Sequence, residues 1–278
     1  MSEAPNAAQA EYWNQQAGPT WAEQQAPLDR QLEPLGRKAM AALALRSGER
    51  VLDVGCGAGA TTLDLAAAVA PGGEALGVDI SRPLLEVARR RSEGVPGVRF
   101  AEGDAQAHPF PEGGFDAVFS RFGVMFFGDP PAAFANLRRA LRPGGRLAFI
   151  CWRAPTENPF MMLPMQAAST IVAPPPPPEP GAPGPFAFAD PDRVRGILDA
   201  AGFADIALTP HDQKIGSGSL DTTLAVALKV GPLGGLLREH PDRREVVIDA
   251  VRQALAAHEG PDGVKLDSAT WIVTARAP

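Results

Sequence analysis

The chain has 278 residues, a net charge of −6, 45% hydrophobic residues and two cysteines. That length holds one large α/β domain with additions, or two small domains, and the apolar content is ample for a core. The acidic balance speaks against a nucleic-acid partner; Cys56 and Cys151 form neither a disulfide framework nor a metal-ligand spacing, so no metal is expected; and no apolar run reaches the roughly 18 residues of a membrane span.

The polar start is unlike a signal peptide, so the expected location is the cytoplasm. Residues 1–25 are rich in Gln and Ala but hold Tyr12, Trp13 and Trp21. Three large aromatics this close together argue against a disordered tail. The nearest surface they could cover is the mouth of a cleft in the following domain, which makes residues 1–47 a candidate helical lid. Leu28, Leu32, Leu35, Ala39 and Leu43 recur at helical spacing, with Pro34 expected to kink or restart that helix.

Residues 51–59, Val-Leu-Asp-Val-Gly-Cys-Gly-Ala-Gly, read as a short apolar strand running into a glycine-rich turn, followed by a helix over 60–70. Such a turn lets backbone approach a ligand closely and offers it free helix N–H groups. The spacing is G-x-G-x-G rather than the dinucleotide G-x-G-x-x-G, and Asp53 sits inside the strand end. A second strand over 74–80 carries Asp79 near its end, about where a Rossmann-like fold sets a carboxylate on ribose hydroxyls. Helix 82–93 follows, then a third strand over 98–104 ending in Gly103-Asp104, a fourth over 115–121, and helix 130–141 capped by Asp129. The turn in 141–150 feeds a fifth strand. Pro174 to Pro178 are unbroken and permit only extended structure. Asp190-Pro191 starts a helix that Gly202 stops. Strands are expected over 205–215 and 270–277, with an insertion over 218–262 that has helical periods.

Five elements, VLDVGCGAG, GVDIS, Gly103-Asp104-Ala105, FDAVFS and LRPGGRL, occur in order over about residues 48–152. In these the chain resembles the class I S-adenosylmethionine-dependent methyltransferases, and most of all the small-molecule branch that includes ubiquinone and menaquinone biosynthesis enzymes. The resemblance implies a Rossmann-like α/β/α sandwich: a seven-stranded, mostly parallel sheet with a C-terminal antiparallel hairpin. It divides the chain into a core over 48–152, a cap insertion over 153–189, a core continuation over 190–217, a helical cap over 218–262 and a last strand over 263–278.

By the same resemblance S-adenosylmethionine is the cofactor. Asp53, Gly55, Cys56, Gly57 and Gly59 would surround its methionine part. Asp79 would take the ribose hydroxyls and Ile80 the adenine face; Asp104 would hold the adenine amino group, with Ala105 and Gln106 beside it. Ser120 and Arg121 would stand near the sulfonium, and Tyr12 and Trp21 would close over the cofactor. Trp13, Arg121, Trp152, Arg153 and Asn158 are candidates for touching substrate, since open α/β sheets bind ligands at the carboxyl ends of their strands. Met125, Phe126 and Phe127 could wall the pocket or simply fill the core.

The implied reaction is methyl transfer to C, O or N of a small, fairly apolar molecule by in-line displacement. It needs alignment and exclusion of water more than covalent help. A general base matters only where the acceptor loses a proton, and His108 and His211 are the candidates. Two other readings stay open: an oxidoreductase using a nicotinamide cofactor, and a non-catalytic module that binds the cofactor as a sensor. Oligomeric state is not legible.

Overall fold

The computed structural model describes residues 6–176, 178–179 and 181–278, with the side chain of Pro232 set aside. The first five residues of the expected lid, and Pro177 and Pro180 of the proline run, lie outside the described residues.

Among the described residues eight strands build one sheet: β1 Arg50–Val54, β2 Glu74–Asp79, β3 Val98–Glu102, β4 Phe115–Arg121, β5 Leu141–Trp152, β6 Ala204–Gly218, β7 Glu259–Gly260 and β8 Gly263–Arg276. Seven follow the order β3-β2-β1-β4-β5-β8-β6, and the two-residue β7 pairs with β8. β1 to β5 are parallel, whereas β8 runs antiparallel between β5 and β6. This is the Rossmann-like sheet with an antiparallel C-terminal hairpin. In the middle of the sheet β1 and β4 are covered on both faces and read as nearly continuous apolar runs. The chain leaves β1 toward β2 on one side and meets β4 on the other. That reversal opens a crevice at the strands' carboxyl ends.

The hairpin is longer than the sequence suggests. β6 runs to Gly218 and β8 begins at Gly263, so the two form an arm that extends past Trp152, the end of β5. The first half of β8 alternates buried and exposed residues on a second apolar cluster rather than on the sheet core. That cluster joins helix Pro159–Ser169 to helices Leu220–Lys229, Pro232–Glu239 and Arg244–Ala256 through Met165, Leu224, Leu233, Val247 and Leu255.

Of the two outcomes expected at Pro34, a kink or a restart, the restart does not occur: one helix spans Gln25–Ala41. Leu28, Leu32, Leu35 and Ala39 bury its inner face, while Pro34 lies on the exposed side. There water can take the carbonyl that proline leaves unbonded, and burial of the leucine stripe outweighs the lost bond. Before it, residues Ala7–Glu23 are helical throughout, with a π-helical turn at Tyr12–Gln16. No single helix among the described residues is long and apolar enough to cross a membrane.

Candidate active site

A deep cavity opens at the β1–β4 reversal and continues beneath the second apolar cluster. Its floor is the loop after β1. Gly55 has φ +67°, and a side chain there would strike the Gly123 backbone at 2.7 Å. Gly59 is packed against Phe100 and Ala88 of the neighbouring strand and helix. Gly57 differs: its φ is +53° and a Cβ would meet only Leu84 Cδ1, at 3.9 Å, while the residue itself lines the cavity. The space beside Gly57 is therefore open to a ligand's approach.

Asp79 closes this loop from β2. Its Oδ2 accepts from the Gly57 amide at 2.7 Å and its Oδ1 from the Ser81 amide at 2.8 Å. Burial pushes its pKa up, against the pull of those amides. Asp104, at the end of β3, spends Oδ1 on the Gln106 amide at 3.0 Å; its buried Oδ2 has no hydrogen-bond partner among the described residues. Burial raises its pKa too, opposed first by the Gln106 amide and then by the nearby Asn6 side chain. A nucleoside with a vicinal diol and an exocyclic amine fits this set. Asp79 keeps free lone pairs for the hydroxyls, the orphaned Asp104 oxygen needs a donor, and Gly57 leaves room between them.

Several expected site residues stand behind the wall instead of on it. Asp53 is fully buried, its Oδ2 accepting from both Thr61 and Thr62 hydroxyls at 2.7 Å. Burial pushes its pKa up to about 6. Ser120 donates to the Val54 carbonyl at 2.7 Å and accepts from the Gly123 amide, pinning β4 to β1. Gln106 accepts from the Asp129 amide at 2.8 Å. Asn158 accepts from the Ala269 amide at 2.9 Å and donates to the Arg153 and Ala154 carbonyls. Arg153 pairs with Glu157 and Asp212 and lies over the Trp271 ring. Neither histidine reaches the lining: His108 packs beside Gly103 and Phe110, and His211 faces Gln213 along β6. Gly59 and Tyr12 are also absent from the lining.

The residues that do meet on the cavity are Gly55, Cys56, Gly57, Asp79, Ile80, Asp104, Ala105, Trp13, Trp21, Arg121 and Trp152. Cys56 is a buried thiol whose pKa burial pushes well up, so it stays protonated. Trp13 sits edge-on to Trp21 and Phe126, with centroids 5.6 and 5.2 Å away. The segment that carries it is fastened to the end of β2. Asn14 donates to the Ile80 carbonyl at 2.8 Å and accepts from the Arg82 amide, while Ser81 donates to the Trp13 carbonyl. Further in, Phe122 and Trp152 stack at 4.0 Å, and Phe160 leans on Trp152. Phe122 holds φ +61°, a conformation that phenylalanine seldom adopts and that tends to mark functional sites.

Sequence reasoning passed over Asp29. It lines the cavity from helix Gln25–Ala41 and gathers Arg91 at 2.9 Å, Arg121 at 3.4 Å and Gln25 at 2.5 Å. Arg91 also donates to the Ala58 carbonyl of the glycine loop, at 2.8 Å. The available signal was a polar pair, Gln25 and Asp29, one turn apart beside the leucine stripe. Asn6, Gln31, Met161, Thr223 and Val226 line the cavity as well, and nothing in their local sequence marked them.

Comparison with known proteins adds the following. A methyltransferase-domain family model matches residues 52–149. The demethylmenaquinone methyltransferase of Thermus thermophilus is 41% identical over 126 residues, which cover 45% of this chain and 56% of that protein. The nocamycin O-methyltransferase of Saccharothrix syringae is 29% identical over 255 residues, covering 87% of this chain and 90% of that one. Among curated relatives matched at 35% identity or more, this chain spans 31% to 56% of their own length. In fold, the YcgJ protein of Bacillus subtilis aligns over 88% of this chain and 97% of its own, with a TM-score of 0.58 and 21% identity.

Proposed function

We propose, from the match of residues 52–149 to a methyltransferase-domain family model, that this chain is a class I, S-adenosylmethionine-dependent methyltransferase that transfers a methyl group to C, O or N of a small, fairly apolar molecule. The observation that carries this reading is the continuity of one cavity. The glycine loop, Asp79 and Asp104 form one end, and an aromatic and methionine-rich chamber beneath the helical cluster forms the other.

S-adenosylmethionine, when bound, supplies an electrophilic methyl group. This chain's residues then have three tasks. Asp79 and the unpaired oxygen of Asp104 would hold the nucleoside, and the backbone at Gly57 would lie against it. Trp13, Trp21 and helix Gln25–Ala41 would cover the mouth and keep water out. Phe122, Trp152, Phe160 and Met161 would orient the acceptor. No histidine lines the cavity among the described residues. The reading therefore rests on alignment rather than on a histidine base. Residues 7–24 act as a lid in this scheme, hinged on helix Gln25–Ala41, and the helices over 159–169 and 220–256 as the acceptor cap. A cytoplasmic location belongs to the same proposal.

Calorimetric titration with S-adenosylmethionine and, separately, with NAD tests it. Binding of the first and not the second, with S-adenosylhomocysteine released on adding a small-molecule cell extract, is the expected result. Binding of NAD alone would overturn the reading in favour of an oxidoreductase. Tight cofactor binding with no turnover on any extract would favour a sensor.

A further inference from the structure

Ser217 lies near the end of β6, is fully buried, and lines the cavity. Its hydroxyl has no hydrogen-bond partner among the described residues. Buried hydroxyls are normally paired, because leaving one unmade costs stability.

The backbone around Ser217 is held from several sides. Arg30 donates to its carbonyl at 3.1 Å. A Cβ at Gly216 would strike the Val264 carbonyl at 2.0 Å, and one at Gly218 would meet Arg30 at 2.9 Å. The pairing of β6 with β8 shifts register between Ile215 and Gly218, an irregularity of the kind that re-aims a side chain. The fold thus fixes the main chain here, and among the described residues no group takes the hydroxyl.

The surroundings offer it little. Helices Gln25–Ala41 and Leu220–Lys229 pack on β6 and contribute Leu28, Leu32 and Val226 to the lining. Thr223 commits its own hydroxyl to the Gly218 carbonyl at 3.4 Å. Gln25, Asp29 and Gln31 of helix Gln25–Ala41 line the cavity as well, and Asp29 is committed to Arg91, Arg121 and Gln25. The other walls of the chamber are flat and aromatic: the Phe122–Trp152 stack and the Trp13–Phe126 edge pair.

We propose that Ser217 is the polar anchor of the acceptor chamber, and that the acceptor is an apolar ring compound carrying a carbonyl or hydroxyl oxygen for that hydroxyl to bond. The inference rests on the methyltransferase reading for the word acceptor; the site itself does not depend on it. Ser217 is a positioning residue, since it holds the molecule rather than acting on the reacting atoms.

The test uses two probes of one shape, 1-tetralone and tetralin, followed by the fluorescence of Trp13, Trp21 and Trp152, which line the cavity. Titrations are run with and without S-adenosylhomocysteine, on the whole chain and on Ser217→Ala. The variant should bind 1-tetralone about three- to tenfold more weakly, the scale of one neutral hydrogen bond. Its affinity for tetralin should be unchanged or tighter. Its melting temperature should match or exceed that of the parent, because the hydroxyl makes no bond within the fold. Equal effects on both probes, no effect on either, no binding of either, or a melting temperature several degrees lower would each overturn the proposal. Calorimetry with S-adenosylmethionine on the same samples separates the two readings: loss of cofactor binding there would sink the methyltransferase function, while the cofactor-free titrations still report on Ser217.

Discussion

The Gly57 amide donates to Asp79 Oδ2 across 2.7 Å, so the carboxylate at the end of β2 also fixes the glycine loop after β1. One side chain thereby shapes the floor of the nucleoside end and presents its remaining lone pairs to a ligand. Asp79→Ala should weaken S-adenosylmethionine binding by about 1.5–3 kcal/mol, the scale of losing a charged acceptor. Asp79→Asn keeps an acceptor for Gly57 and should fall between. Near-unchanged affinity by calorimetry, in a variant that folds, would remove Asp79 from the ribose role.

Gly57 and Gly59 should separate binding from folding. Gly59→Ala forces a methyl onto Phe100 and Ala88 at under 3 Å, and should lower the melting temperature by several degrees. Gly57→Ala meets no protein atom closer than 3.9 Å, so its stability cost comes only from the positive φ, about 1 kcal/mol. It should cost far more in cofactor affinity than in stability. The reverse ranking would show that no ligand approaches Gly57.

The N-terminal segment is joined to the cavity mouth by Asn14, Ser81 and the Trp13 ring, and Trp21 packs on the edge of the main apolar core. Deleting residues 1–24 should therefore reduce cofactor affinity and turnover while the remainder still melts cooperatively near its original temperature. Loss of cooperative melting would make the segment part of the folding unit. Unchanged binding would end its role as a lid.

Asp53 offers a pH signature. Burial raises its pKa to about 6 in the folded chain, above the roughly 3.9 of an unfolded aspartate. The folded state therefore holds this proton over a range where the unfolded state has released it. Asp53 costs the fold nothing below about pH 4, and stability falls as pH rises from there to about 6, by up to about 3 kcal/mol in total. Asp53→Asn keeps acceptors for Thr61 and Thr62 and should flatten that fall. Denaturant melts at pH 4.5 and pH 7.5 read it out; parallel pH profiles for the two proteins would refute the shift.

His108 and His211 both stand off the cavity lining. Replacing either by alanine should leave turnover within about twofold at every pH, since a base must come within hydrogen-bond reach of its proton. A changed pH–rate profile in one variant would bring that histidine back into the mechanism.

The sequence by itself determined the core and most of the residues that meet at the glycine-loop end of the cavity. β1 and its glycine loop, Asp79 at the end of β2 and Asp104 after β3 are local patterns: an apolar run, a turn residue and an acid at a strand's end. Each keeps its meaning whatever packs around it, and the residues concerned meet on one cavity. Asp53, Ser120 and Asn158 have the same polar character in sequence, yet all three hydrogen-bond inward. Which way a polar side chain faces depends on the strand register and on what the neighbouring elements leave unbonded, and neither is local. Asp29 acquires its partners from Arg91 and Arg121, far away in the chain. Pro34 is tolerated because tertiary burial of the opposite face outweighs one missing bond. The arm of β6 and β8 exists because two distant segments pair beyond the end of β5, and only that pairing leaves the Ser217 hydroxyl buried on the cavity without a partner. Close-range chemistry was legible residue by residue, while the acceptor chamber was decided by contacts between segments that the chain brings together only on folding.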